Sequence, residues 1–373
     1  MSVIDSMNNY GLLHSSSLLS KNDSNCVFRN FSKKSFTSKS VEESAEDLGK
    51  IIEHNAAVAQ KTIKYCHANG IKHYSIYHDL IPLLHDEAIP CSIKDLPNHE
   101  NIIRELKKIG ILARKYNIDI SVDLSKVTHL CGTTATMKKS AAKINLWSTI
   151  FDLFELSPDL SSPIIIQVNN SVNESEEIKL KNVVDTFYDA FEEISETAQN
   201  RIVITNEKTG CWNCGNLFKW FHLYSGGEYG KFFSLSYNIL NHKLNPSEVG
   251  GEQVTDMQNV QAFAHTWSEG MRPFFIWDEE PSESAFSEEA DDFGMPLNWI
   301  CMGAESDKNI LSMRGDTVEE STLDISTFDE FLSVDVDINE DDLEESEIDL
   351  AHKTIKRAIK SKGGKDFNAI YGF

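Results

Sequence analysis

The chain has 373 residues, 40% hydrophobic and 25% charged, which suits a globular protein long enough to bury a barrel-sized core. Its formal net charge of −23 excludes a uniformly basic nucleic-acid surface, but the excess is local: residues 278–350 hold 25 acids and 2 bases, and the remainder holds 33 of each. A phosphate-binding face on the neutral body therefore stays open. No apolar run of about 18 residues exists to predict a membrane span. The first twenty residues lack a basic region followed by an apolar core, so no signal peptide is expected. Seven Cys, scattered and odd in number, point to a reducing, cytoplasmic compartment rather than a disulfide scaffold.

Residues 1–40 are rich in Ser, Asn and Lys and read as a poorly ordered leader, with a short strand at Cys26-Val-Phe28. Apolar positions at helical spacing predict a helix over 44–69, closed by Gly70. Strands are expected at 71–77, 118–122, 163–168, 201–205, 233–240, 273–277 and 297–302. Helices are expected at 101–116, 136–156, 174–199, 216–224 and 254–269. This alternation implies parallel βαβ units and an α/β fold, a (β/α)8 TIM-like barrel over 41–315; an open doubly wound sheet is the competitor, and no Gly-rich phosphate fingerprint supports it. Residues 316–350 read as an acidic linker or tail, and 351–373 as a basic and aromatic segment fit to dock on a protein partner.

The stretch Phe233-Ser-Leu-Ser-Tyr-Asn-Ile-Leu-Asn-His-Lys-Leu-Asn-Pro246 is the centre of the functional reading. It reads as a buried strand that delivers Asn238, Asn241 and His242 at its C-terminal end, where such a barrel builds its site. Those three form either a base- or phosphate-contacting cluster or a structural network that caps the barrel mouth. Lys126 is a candidate phosphate contact. Arg201 is more simply a partner for an acid where its strand begins. Trp212, Trp220, Phe221 and Tyr224 lie at helical spacing that favours core packing over base stacking. The lone Cys211-Trp-Asn-Cys214 is weak for zinc or redox chemistry without a second pair.

Taken in order, several motifs resemble the UV-damage endonuclease family of TIM-barrel DNA-repair nucleases. These are Ala68-Asn-Gly-Ile71, Tyr77-His-Asp-Leu-Ile-Pro82, Arg201-Ile-Val-Ile-Thr-Asn206, Asn238-Ile-Leu-Asn-His-Lys-Leu-Asn-Pro246, Thr266-Trp267 and Arg272-Pro273. The resemblance implies nicking of DNA 5′ to photolesions in excision repair, with a cluster of divalent metals held at the strand ends. Most of the ligands it implies are replaced. Asp123 stands where the family's third strand offers His, and Lys126 where it offers a damage-contacting Gln. Gln167, Thr205, Asn238, Asn241, Ile276 and Gly303 stand at other ligand positions.

Neutral amides bind divalent ions far more weakly than carboxylates or imidazoles. The expectation is therefore at most one divalent cation, Mn or Mg, on Asp123, Glu207 and His85 or Asp86, or none. Two functions follow: a divergent metal-dependent endonuclease, or a catalytically degenerate barrel that binds DNA or a protein through Lys126, Asn238, Asn241 and His242.

Overall fold

The computed structural model describes residues 8–14, 16–169, 177–249, 251–277, 297–301 and Ile310. Eight strands form one parallel sheet: β1 (Asn8–Leu13), β2 (His73–Ile76), β3 (Asp119–Asp123), β4 (Ile164–Ile166), β5 (Ile202–Thr205), β6 (Ser234–Ser236), β7 (Phe274–Trp277) and β8 (Leu297–Cys301). Their order is β6-β5-β4-β3-β2-β1-β8-β7, so β6 and β7 meet at the seam of a (β/α)8 barrel. The helices are α1 (Ser17–Asn22), α2 (Lys33–Thr37), α3 (Val41–Ala68), α4 (His99–Tyr116), α5 (Thr134–Leu153), α6 (Glu177–Glu192), α7 (Glu196–Gln199), α8 (Cys214–Leu217), α9 (Ser225–Tyr229), α10 (Ile239–Leu244) and α11 (Asp256–Ala264). A π-helical stretch, Phe218–Tyr224, joins α8 to α9.

Strand alternation sorts the core into two layers. Leu12, Tyr74, Ile76, Ile120, Val122, Ile164, Ile166, Ile202 and Ile204 pack with helix residues in the larger apolar cluster. Ile165, Val203, Phe274, Ile276 and Ile300 form a second cluster without helical members, which is the barrel interior. The interior also holds His73, whose Nε2 lies 2.9 Å from Ser121 Oγ. Gly11 makes room for that ring: a Cβ there would sit 2.2 Å from His73 Nδ1.

The longest helix, α3, is started by a capping box in which Ser40 and Glu43 satisfy each other's backbone N–H groups. The expected helix over 174–199 is broken in two. Ser195 caps α7, and Gln199 Nε2 donates to the carbonyls of Phe191 and Ile194 at the end of α6.

Three expectations change. Within the leader expected to be poorly ordered, Asn8–Leu13 pairs in register with β8 and β2, so the barrel begins inside residues 1–40. Cys26-Val-Phe28 is not a strand, because the Asn55 side chain engages the neighbouring peptide, accepting from Arg29 N at 2.8 Å and donating to Arg29 O at 2.9 Å. The central stretch is a strand only as far as Ser236. Asn238 then turns it into a helix by accepting Asn241 N–H at 2.9 Å, which competes successfully with extension of the ladder. The segments 316–350 and 351–373 lie outside the described residues.

The seam is joined largely by side chains. Ile276 N donates to Tyr237 O at 2.7 Å, and Ser236 Oγ to Phe274 O at 2.6 Å. Thr266 Oγ1 accepts from Leu235 N at 2.8 Å and donates to Phe263 O at 2.6 Å, while Trp267 Nε1 donates to Leu235 O at 2.8 Å. Thr266→Val keeps the shape and strands the buried Leu235 N–H. Urea unfolding should show a loss of about 1–3 kcal/mol, and a loss within error of zero would mean the seam does not depend on this hydroxyl.

Candidate functional site at the barrel mouth

All eight strands are parallel, so their C-terminal ends gather the residues that follow them: His14, Tyr77 to Asp79, Asp123 to Lys126, Gln167 to Asn169, Asn206 and Glu207, and Asn238 to Asn241. The mouth divides into two chemically different halves.

The half above β4 to β6 satisfies itself. Asn206 presents its amide to the peptide of Asn238, accepting from Asn238 N at 2.7 Å and donating to Asn238 O at 3.0 Å. Asn241 Nδ2 donates to Asn206 O at 2.7 Å, and Gln167 Nε2 to the same carbonyl at 3.2 Å. Asn238 and Asn241 are buried. His242 is buried too, with Nε2 3.0 Å from Val254 O and its ring beside Tyr237 and Asn259. Of the two readings left open for this cluster, the geometry is that of the structural network. As DNA contacts these three residues lack an exposed face, because the turn into α10 draws them into the wall.

Glu207 is folded against the same wall. Its carboxylate accepts from Asn169 N at 2.6 Å, and Asn169, held at φ +50°, donates to the carbonyls of Ser125 and Thr128. Burial pushes the Glu207 carboxyl up to about 7, against the opposing pull of the Asn169 and Val168 amides.

The half above β1 to β3 is open and charged. The His14 and His78 rings lie 5.5 Å apart, Tyr77 stacks on Phe28 at 5.0 Å, and His14 meets Tyr77 edge-on at 5.2 Å. Lys126 is exposed at the rim. Burial is the main cause lowering His14, to about 4, with the charges of His78 and Lys126 adding to it. Burial also lowers His78, so both rings are neutral at pH 7 and act as hydrogen-bonding groups rather than cations. Asp123 is raised by burial, opposed by hydrogen bonds from Ser125, whose N donates at 2.8 Å. Asp79 joins both sides of this region: Oδ2 is 3.6 Å from His78 Nε2 and Oδ1 accepts from the buried Lys143 Nζ at 2.8 Å.

The four metal-ligand candidates do not come together. Asp86 is occupied by two ammonium groups, Lys33 Nζ and Lys139 Nζ, each 3.3 Å away. His85 faces the same recess, Asp123 turns onto its own loop, and Glu207 sits in the opposite half. Among the described residues no three His, Cys, Asp or Glu side chains form a group that could hold a metal ion. Among the described residues the four candidates therefore do not form one donor set. Arg201 pairs with Asp152 at 2.8 Å and bonds the Ser148 and Leu156 carbonyls, far from phosphate chemistry. Burial raises the thiols of Cys211 and Cys214, and Trp212 and Phe221 are core. The sequence reading missed His14 because it missed β1, and missed Lys143 because a helical lysine carries no motif.

The sequence profile of UV-endonuclease UvdE matches residues 9–219, more than half of the chain. The chain belongs to the UvdE family of UV endonucleases. The crystal structure of SacUVDE is similar with a TM-score of 0.65 and 15% identity, covering 82% of this chain and 96% of that one, a likeness that shows the fold. More distant are endonuclease IV from Thermus thermophilus (TM-score 0.47, 10% identity, 82% and 98% covered) and the 3-keto-D-glucoside 4-epimerase YcjR from E. coli (0.46, 7%, 70% and 94%). No curated protein sequence matches the chain.

In this UvdE-family barrel, Glu207 makes stability pH-dependent. The folded carboxyl titrates near 7, above the ordinary 4.5, so between those values the folded state holds a proton that the unfolded state has lost. Stability contributed at pH 4.5 therefore falls as pH rises to 7, by up to about 3 kcal/mol. Glu207→Gln keeps the acceptor oxygen and should flatten this part of the profile in denaturant titrations at pH 5 and pH 8; an unchanged slope would show that Glu207 titrates normally.

Proposed function

We propose that the chain is a DNA-binding barrel of the UV-endonuclease family that grips a strand at its mouth without its relatives' multi-metal hydrolysis. The observation that carries this reading is the fate of the expected ligands: Asp86 is neutralised by two lysines, Glu207 and Asp123 are folded onto backbone amides, and Asn238 and Asn241 are engaged with Asn206. Two or three divalent ions bring four to six positive charges, and such clusters need several anionic or imidazole donors around them. The likeness to nucleases of this family supports DNA as the partner. Two features of the open half fit it. The exposed Lys126 suits a phosphate, and the Tyr77–Phe28 stack offers an aromatic surface to an unpaired base. Among the described residues, no helix is long and apolar enough to cross a membrane.

The test pairs binding with cleavage. UV-irradiated plasmid is incubated with the protein and Mn or Mg, beside Asp123→Ala and Lys126→Gln. Retardation without nicking is expected for the wild type and for Asp123→Ala. Lys126→Gln should weaken binding roughly uniformly across sequences and lower the salt slope by about 1. Metal-dependent nicking that disappears in Asp123→Ala would restore the endonuclease reading, and no retardation at low salt would refute the binding one.

A further inference from the structure

Beside the open half of the mouth lies a cavity of about 350 Å3, walled by the loop after β2, the start of α2 and one face of α5. Lys33, Lys139 and Lys143 bring three ammonium groups to it, and Asp79 and Asp86 two carboxylates. His85 faces the same space and makes no hydrogen bond with the described residues. Set against the two carboxylates, the three ammonium groups leave an excess of one. The lining thus carries one net positive charge.

The wall is built at a cost. Leu83 sits at φ +67°, a region that a branched side chain rarely adopts, and Leu84 N donates to Pro82 O at 2.9 Å across this tight turn. The turn brings His85 and Asp86 into the cavity, and strain of this kind gathers at ligand-holding loops. The cavity borders the mouth at Asp79, which contacts His78 on one side and Lys143 on the other.

We infer that this cavity seats one phosphodiester of a bound DNA strand, its oxygens meeting the ammonium groups of Lys33 and Lys139 and the imidazole of His85. The inference rests on the DNA-binding reading and extends it to a second contact point. The charge decides the ligand class. A diester carries a single negative charge, which the lining neutralises, whereas a free phosphate dianion would be left in excess. Lys143, buried and fixed by Asp79, supplies background charge. Lys33 and Lys139 are about half exposed, 3.3 Å from the one Asp86 oxygen they share, and free to swing to a ligand. Asp86 competes with the strand for those two lysines.

That competition fixes the sign of the test. A fluorescent single-stranded thymidine oligonucleotide is titrated into the full chain, and inorganic phosphate is added separately while the His85 ring protons are followed by NMR. Asp86→Asn should tighten oligonucleotide binding several-fold. The double variant Lys33→Gln, Lys139→Gln should weaken it and lower the salt slope by about 2. The two lysines are about half exposed, and thermal melting checks that all the variants fold. Oligonucleotide binding unaffected by these variants overturns the cavity site and leaves the DNA-binding reading standing. Weaker binding in Asp86→Asn overturns the competition and returns that carboxylate to a direct role. Phosphate shifts at His85 with no oligonucleotide binding overturn the diester as occupant, together with the DNA-binding reading.

Discussion

The barrel depends on how a three-residue strand, Ser234–Ser236, is held between two neighbours. On the β5 side, the Asn206 amide pairs with the Asn238 peptide in both directions, which lengthens the ladder by one side chain. On the β7 side one isolated bridge, Asn238 to Ile276, continues the sheet, and the hydroxyls of Ser236 and Thr266 and the indole of Trp267 supply what the backbone does not. A strand this short offers few backbone groups for a barrel wall, and buried peptide groups must find partners. Side chains fill that need here, and one of them, Asn206, comes from a strand end, where a barrel enzyme would keep its reactive groups.

This explains why the mouth is lopsided. Polar residues at strand ends can complete the wall or face a ligand, and above β4 to β6 they complete the wall. Gln167, Asn206, Asn238, Asn241 and Asn245 make a continuous set of amide contacts reaching from β4 to the loop after β5. Above β1 to β3 the strand-end groups His14, His78 and Asp79 have rings and charges as partners, Lys126 is exposed, and Asp123 alone turns onto a backbone amide. The proposed reading therefore puts the functional centre at the second strand rather than the sixth, where the sequence pattern draws the eye.

Most of the frame was legible because buried parallel strands are short apolar runs and the helices between them keep a helical stripe. Ile164–Ile166 and Ile202–Thr205 have no other plausible reading. Asn8–Leu13 was not legible: its few apolar residues are a strand only because β2 and β8 flank it, information that no local window contains. The turn at Asn238 was hidden for the opposite reason. Tyr237, Asn238 and Ile239 continue the alternation of β6, but an Asn that caps Asn241 ends the strand. At the site, residue type gave Asp86 as a candidate ligand. Its geometry depends on Lys33 in α2 and Lys139 in α5, each 53 positions away along the chain, one on either side.

Lysines around Asp86 also change what the mouth can do to a bound strand. A divalent ion holds phosphate and also lowers the pKa of its own water, so one group both clamps and supplies the nucleophile. An ammonium group clamps as a point charge and donates hydrogen bonds, but it activates no water. Lysines in place of an ion would therefore separate grip from cleavage. The remaining base candidates follow the same division. Asp123 is pushed up by burial and held by Ser125, and Glu207 is turned onto Asn169, in the half away from the lysines. A general base must reach the water it deprotonates. The carboxyl most poised to titrate near pH 7 points into the wall, away from the open half on which the binding reading rests.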